Sequence, residues 1–195
     1  MIIATDNLSG YINSAVLSAH LNATPDQLTF IPTTLERDNI LKEMLASQLE
    51  TPPMLVYNVK PVWMVGIWFG AGELEWARGI KKRSLWHIID HHKATMAFDK
   101  SGIFHQSFVN TDITTAQMVW ELYYKGHSKP NMTLFEWVSI SDAKEKLGKK
   151  KVPDYMKVME GLLKPMASED KALLVHTICY KHPKEYLASQ LQGKA

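Results

Sequence analysis

A short apolar run that ends abruptly in an acid and two imidazoles constrains this chain more than any other stretch. Leu85 to Ile89, with His87 among them, has the length and composition of a buried strand. Asp90, His91 and His92 follow at once, and Lys93 comes next. In an open α/β sheet, ligands bind outside the carboxyl ends of the strands. Adjacent histidines at such an end suit a divalent metal, a phosphate, or both. The same string also serves as ordinary hydrogen bonding at a strand end.

The flanking segments supply the rest of a sheet. Ile2 to Thr5 is another apolar run, closed by the polar turn Asp6-Asn7-Leu8-Ser9-Gly10. Ile12, Ala15, Val16 and Ala19 then share one helical face, so the chain opens as a βα unit. Leu28 to Ile31 predicts a second strand, ended by Pro32. Leu35 to Leu49 predicts a helix, and Met54 to Tyr57 a third strand ending at Asn58. Residues 61 to 83 crowd Trp63, Trp68, Phe69 and Trp76 among glycines, with a helix expected over Leu74 to Ile80. Phe104 to Phe108 predicts a further strand. Thr114 to Tyr124 predicts a helix, opened by Thr111-Asp112 and closed by Gly126. Beyond Pro130 the pattern is helical, over 132–147, 154–164, 168–180 and 184–192.

Strands alternating with helices argue for an α/β fold: a mainly parallel sheet flanked by helices, Rossmann-like in its layering, with a helical C-terminal tail. Residues 1–148 form the expected α/β domain and 149–195 the tail. Lys149-Lys150-Lys151 and Pro153 lie at the junction. The 195 residues suit one domain of ordinary size. A net charge of +2, with short basic runs at 81–83 and 149–151, does not favour duplex nucleic acid as a partner. Cys179 is the only cysteine, so no internal disulfide forms and a reducing, cytoplasmic setting is expected. No basic-then-apolar leader pattern and no long apolar run is present, so neither secretion nor a membrane is expected.

Three expected strand ends therefore carry polar groups on one sheet edge: Thr5 to Ser9, Asn58, and Asp90-His91-His92. This arrangement resembles the DHH phosphoesterase superfamily of oligoribonucleases, single-strand exonucleases, exopolyphosphatases and family II pyrophosphatases. The resemblance runs over residues 1 to 145. It rests on the first strand with its Leu8-x-Gly10 turn, the helix of Ser14-Ala15-Val16-Leu17, Ile88-Ile89-Asp90-His91-His92, and the Thr114-Thr115-Ala116 start of a helix.

The resemblance implies a two-manganese site and hydrolysis of phosphodiesters, but the chain departs from the pattern. The first motif, His-x-Asp-x-Asp-Gly, falls on Thr5, Asn7, Ser9 and Gly10. The bridging Asp of the second falls on Asn58. The third is intact at Asp90, His91 and His92, and Asp142 is the best candidate for the fourth. Neutral side chains thus stand where divalent cations need carboxylates. Without a dinuclear centre, no metal-bound hydroxide forms near neutral pH.

The expectation is a catalytically impaired relative that needs no cofactor. It would bind a nucleotide, another phosphoester or a protein partner. Asn7, Ser9, Gly10, Asn58, His91, His92 and Lys93 are the candidate ligand-binding residues, because a helix start and imidazoles favour anions. One alternative is an active phosphodiesterase with a single Mn2+ held by Asp6 or Asp90, His91 and Asp142, with His91 and His92 catalytic. Another is a pure interaction protein with a vestigial crevice. The tail is too short for the second, substrate-gripping domain common in the family.

Overall fold

The computed structural model describes residues 1–32, 39, 41, 43, 61–67, 75–76, 86–99, 102–147, 153–163 and 166–192. Among these lie five strands: β1 (Ile2–Thr5), β2 (Leu28–Ile31), β3 (Val62–Val65), β4 (Trp86–Asp90) and β5 (Gln106–Val109). They form one sheet in the order β2-β1-β3-β4-β5, with every neighbouring pair parallel. Seven helices accompany them: α1 (Leu8–Leu21), α2 (Lys93–Asp99), α3 (Thr115–Gly126), α4 (Met132–Leu147), α5 (Asp154–Leu163), α6 (Ser168–Ile178) and α7 (Pro183–Gln192). The chain is an α/β protein with a helical C-terminal part.

The central strands are apolar on both faces, as a parallel sheet covered on both sides requires. Register sorts their side chains. Ile2 pairs with Leu28 and Trp63, and these three join Val65 and Ile89 in one core. One residue along, Ile3 pairs with Met64 and Met64 with Ile88, and these join Val62 and Trp86 in the other. The first core holds α1, α3, α4 and the tail helices, where Met156, Met159, Leu174, Val175, Ile178 and Tyr186 are buried. Hydrogen bonds stitch the tail down. Asn131 Nδ2 donates to the Cys179 carbonyl at 2.8 Å, and Trp137 Nε1 to that of Lys181 at 2.8 Å.

The structure shows a strand that the sequence pattern does not single out. β3 is Val62–Val65, in the segment where the sequence pattern shows only crowded aromatics. Val62-Trp63-Met64-Val65 is a four-residue apolar run between Pro61 and Gly66, so its local signal equals that of Met54 to Tyr57. Met54 to Tyr57 and Asn58 lie outside the described residues, as do most of the expected helices over 35–49 and 74–80. The strand slot between β1 and β4 therefore ends at Gly66. Its φ of +64° turns the chain sharply, and its N–H donates to the Ile89 carbonyl at 2.9 Å. The opening of α3 also differs. Thr114, not Thr111-Asp112, is the cap, and its hydroxyl accepts from Gln117 N at 3.3 Å. Among the described residues no helix is long and apolar enough to cross a membrane.

Candidate functional site

Strand order reverses between β1 and β3, and ligands of doubly wound sheets bind at the carboxyl edge of such a switch point. A cavity of about 220 Å³ lies there. Thr5, Asn7, Ser9 and Gly10 line it from the β1–α1 turn and Gly66 from the end of β3. His91 and His92 come from the end of β4, Asn13 from α1, Thr115 from α3, and Lys144 and Glu145 from α4.

Local geometry explains the turn. Asn7 caps α1, its Oδ1 accepting from Gly10 N at 2.8 Å. Its amide oxygen is thereby committed to the fold. Gly10 is required by space, since a Cβ there would sit 1.9 Å from the Thr5 carbonyl oxygen. The helix start is thus pressed onto the end of β1, with Ser9 at the cavity wall.

The two histidines are held differently. His91 Nδ1 lies 2.8 Å from Thr115 Oγ1 and 3.6 Å from Glu145 Oε2. His92 Nδ1 lies 2.7 Å from Oδ1 of fully buried Asp90, whose Oδ2 accepts from the Thr95 hydroxyl. The rings stack with centroids 4.4 Å apart. Burial, then the neighbouring His92, holds the His91 pKa below the usual imidazole range, with Asp90 opposing.

Beneath them sits Glu145. Its carboxylate accepts from Asn13 Nδ2 at 2.9 Å, Ser141 Oγ at 3.3 Å and Ala116 N at 3.3 Å. Burial raises its pKa and these donors oppose the rise. Lys144 pairs with Glu160 of α5. Burial pushes its ammonium down to about 8, with Glu145 opposing.

Of the residues expected from sequence, Asn7, Ser9, Gly10, His91 and His92 meet at this cavity. Asn58 lies outside the described residues. Lys93 is exposed at the start of α2 and is not part of the lining. Asp90 supports His92 from behind. Asp6 accepts from the Tyr11 hydroxyl and from Lys171 Nζ at 2.9 Å, away from the lining. Asp142 accepts from Thr114 Oγ1 at 2.7 Å and pairs with Lys146 at 2.7 Å, also outside it. Glu145, Lys144 and Asn13 carry no sequence signal of their own here, and Thr115 enters the sequence pattern only as part of a helix start. Glu145 lies three residues beyond Asp142, one turn further along the same helix face, and that spacing was the available signal. Lys144 is hidden in a charged helix end that reads as solvated.

The lining does not suit two divalent ions. Glu145 is the only acid among the described lining residues, its oxygens are engaged, and Lys144 adds a positive charge. Asp90, His91 and His92 each offer one ligand atom, all within 4.8 Å of one another, but Asp90 already serves His92 and Thr95. A larger cavity of about 410 Å³ lies among α1, α3, α4 and α6 and shares no lining residue with the first. Its Asn131 and Ser18 side chains are spent on backbone carbonyls.

No family model matches this chain, and no curated protein is similar to it. An uncharacterized protein from Helicobacter pylori G27, known from its crystal structure, has a similar fold, with a TM-score of 0.64 at 14% sequence identity. The likeness covers 99% of this chain and 61% of that one, so this chain spans about three fifths of its neighbour's length. At that identity the likeness speaks for the fold alone.

Proposed function

We propose that this chain is a catalytically impaired relative of the DHH phosphoesterases that binds a nucleotide or other phosphoester without metal. One observation carries the reading. At the switch point, two histidines, a lysine side chain and a helix start line a cavity, and the described carboxylates around it have partners. Asp6 is matched by Lys171, Asp142 by Lys146, Asp90 by His92 and Thr95, and Glu145 by three donors. Repulsion toward an anion is thereby reduced while its donors remain.

Calorimetry against inorganic phosphate and a panel of nucleotides tests this. Affinity is expected to rise as pH falls through the ordinary histidine range, near about 6.5. Protonated imidazole binds an anion better, and the depressed His91 pKa places the gain on the acid side of that range. Changing His91→Ala together with His92→Ala should cost roughly 1.5–3 kcal/mol per charged hydrogen bond lost. Failure of every nucleotide to bind, or a double variant as tight as the parent, overturns the reading. Manganese-dependent cleavage of short oligoribonucleotides, abolished by His91→Ala, would favour the one-metal enzyme instead.

A protein partner is the second reading. It draws on an aromatic cluster on α3 and α4, where Trp120 packs against Tyr124 and Phe135. Tyr124, Phe135 and Met132 are exposed, and aromatic residues and Met are enriched at interfaces.

A further inference from the structure

Among the described residues that line the crevice, one lysine is paired with an acid outside it. Lys144 lines it from α4, with a side chain only 17% exposed. Its ammonium pairs with Glu160, which belongs to α5, is 36% exposed and is not part of the lining. The acid beside Lys144 in sequence, Glu145, has its oxygens committed to Asn13, Ser141 and Ala116 N. So the fixed carboxylate is occupied, and the one holding Lys144 stands where water can take it over. Glu160 is open enough for water to solvate it once it is released, and the largely buried Lys144 ammonium would need the incoming anion in its place. A phosphate entering the crevice offers more charge and more acceptor oxygens than one carboxylate. The depressed Lys144 pKa fits an ammonium short of solvation, which those oxygens would restore.

The cavity decides what carries the phosphate. Residues able to donate line it from three elements: Ser9 at the start of α1, His91 and His92 at the end of β4, and Lys144 on α4. A terminal phosphate presents three free oxygens and up to two charges to such an arrangement. A bridging diester presents two oxygens and one charge. The volume of about 220 Å³ is below the ~300–1,000 Å³ of sites that enclose a whole drug-sized ligand. It suits a phosphate group and little of what bears it.

The geometry points to Lys144 as the anchor for a terminal phosphate, kept ready by Glu160 and handed from Glu160 to the ligand on binding, so that the crevice selects phosphomonoesters over phosphodiesters. This rests on the phosphate-binding reading above and adds to it the ligand class and the anchoring residue.

Calorimetry on the full chain tests it, with inorganic phosphate, adenosine 5′-monophosphate and a diester-linked diadenosine as probes. The monophosphate is expected to bind at least ten-fold tighter than the diester. Lys144→Met should weaken the monophosphate at least ten-fold. Glu160→Gln should tighten it several-fold, because the competing carboxylate is gone. Circular dichroism checks that each variant is folded. Should Lys144→Met not fold, Glu160→Gln decides alone, since a purely structural pair gives no gain in affinity when broken. Monophosphate binding by the parent that neither change moves would overturn the role of Lys144 and leave the crevice reading standing. Equal or tighter binding of the diester would overturn the ligand class. Absence of binding by parent and Glu160→Gln alike would remove the crevice reading itself, and this inference with it.

Discussion

Gly10 joins the backbone to the chemistry at a single residue. Its φ is ordinary, so its need is for space and not for conformational freedom. A methyl group there would meet the Thr5 carbonyl at 1.9 Å, a contact that only backbone movement relieves. Gly10→Ala should therefore destabilise the fold by about 3 kcal/mol, the upper part of the overpacking range. Urea unfolding reads this directly, and a change below about 0.5 kcal/mol would mean that α1 slides freely off β1. The same scale shows where sequence reading stops. Spacing identified the turn, the paired histidines and the neutral residues around them. It could not tell which way a carboxylate turns. Asp6 and Asp142 sit beside crevice residues in sequence, yet each is taken by a lysine, Lys171 and Lys146. Glu145, a single turn past Asp142, is the acid that reaches the crevice.

Elements were legible where periodicity and length agreed. The helices at 132–147, 154–163, 168–178 and 183–192 fall within two residues of their sequence patterns. Strands β1 and β2 match theirs outright. β3 was not legible, because its four-residue apolar run sits in a segment crowded with aromatics and glycines, where periodicity does not decide. β4 is legible for the opposite reason: five buried residues end in a polar triplet. Within it, His87 is buried, stacked on Trp63 at 4.3 Å and edge-on to His105 at 5.4 Å. Its Nδ1 has no hydrogen-bond partner. Burial lowers its pKa, with the Gln106 hydrogen bond opposing and His105 assisting. The unfolded chain therefore binds more protons than the native one below the ordinary range near about 6.5. Stability contributed by neutral His87 is present above that range and lost as pH falls through it. His20 and His91, also depressed by burial, act with the same sign. His87→Phe keeps the stack and leaves exposed Gln106 to water, so it should cost under about 1.5 kcal/mol at pH 7.5. Thermal melts should then show a shallower loss of stability between pH 7 and 5 than in the parent. An unchanged slope would mean that His87 titrates as if solvated.

Across the whole molecule, the tail is tied into the body that carries the site. Its Met156, Met159, Val175 and Ile178 share a core with α1, and Lys171 reaches back 165 residues to hold Asp6 beside the crevice turn. Lys144 and Glu160 make a second link between α4 and the tail. The helices that cover one face of the sheet thus also set the charges around its switch point. On the proposed function, protein cations and a helix start would hold a phosphate here without metal. Crystals soaked in manganese and adenosine 5′-monophosphate test that claim most directly, by an anomalous map recorded at the manganese edge. The expected result is phosphate density between Ser9-Gly10, His91-His92 and Lys144, with no pair of manganese peaks. Two manganese ions in the crevice, bridging the phosphate, would contradict it.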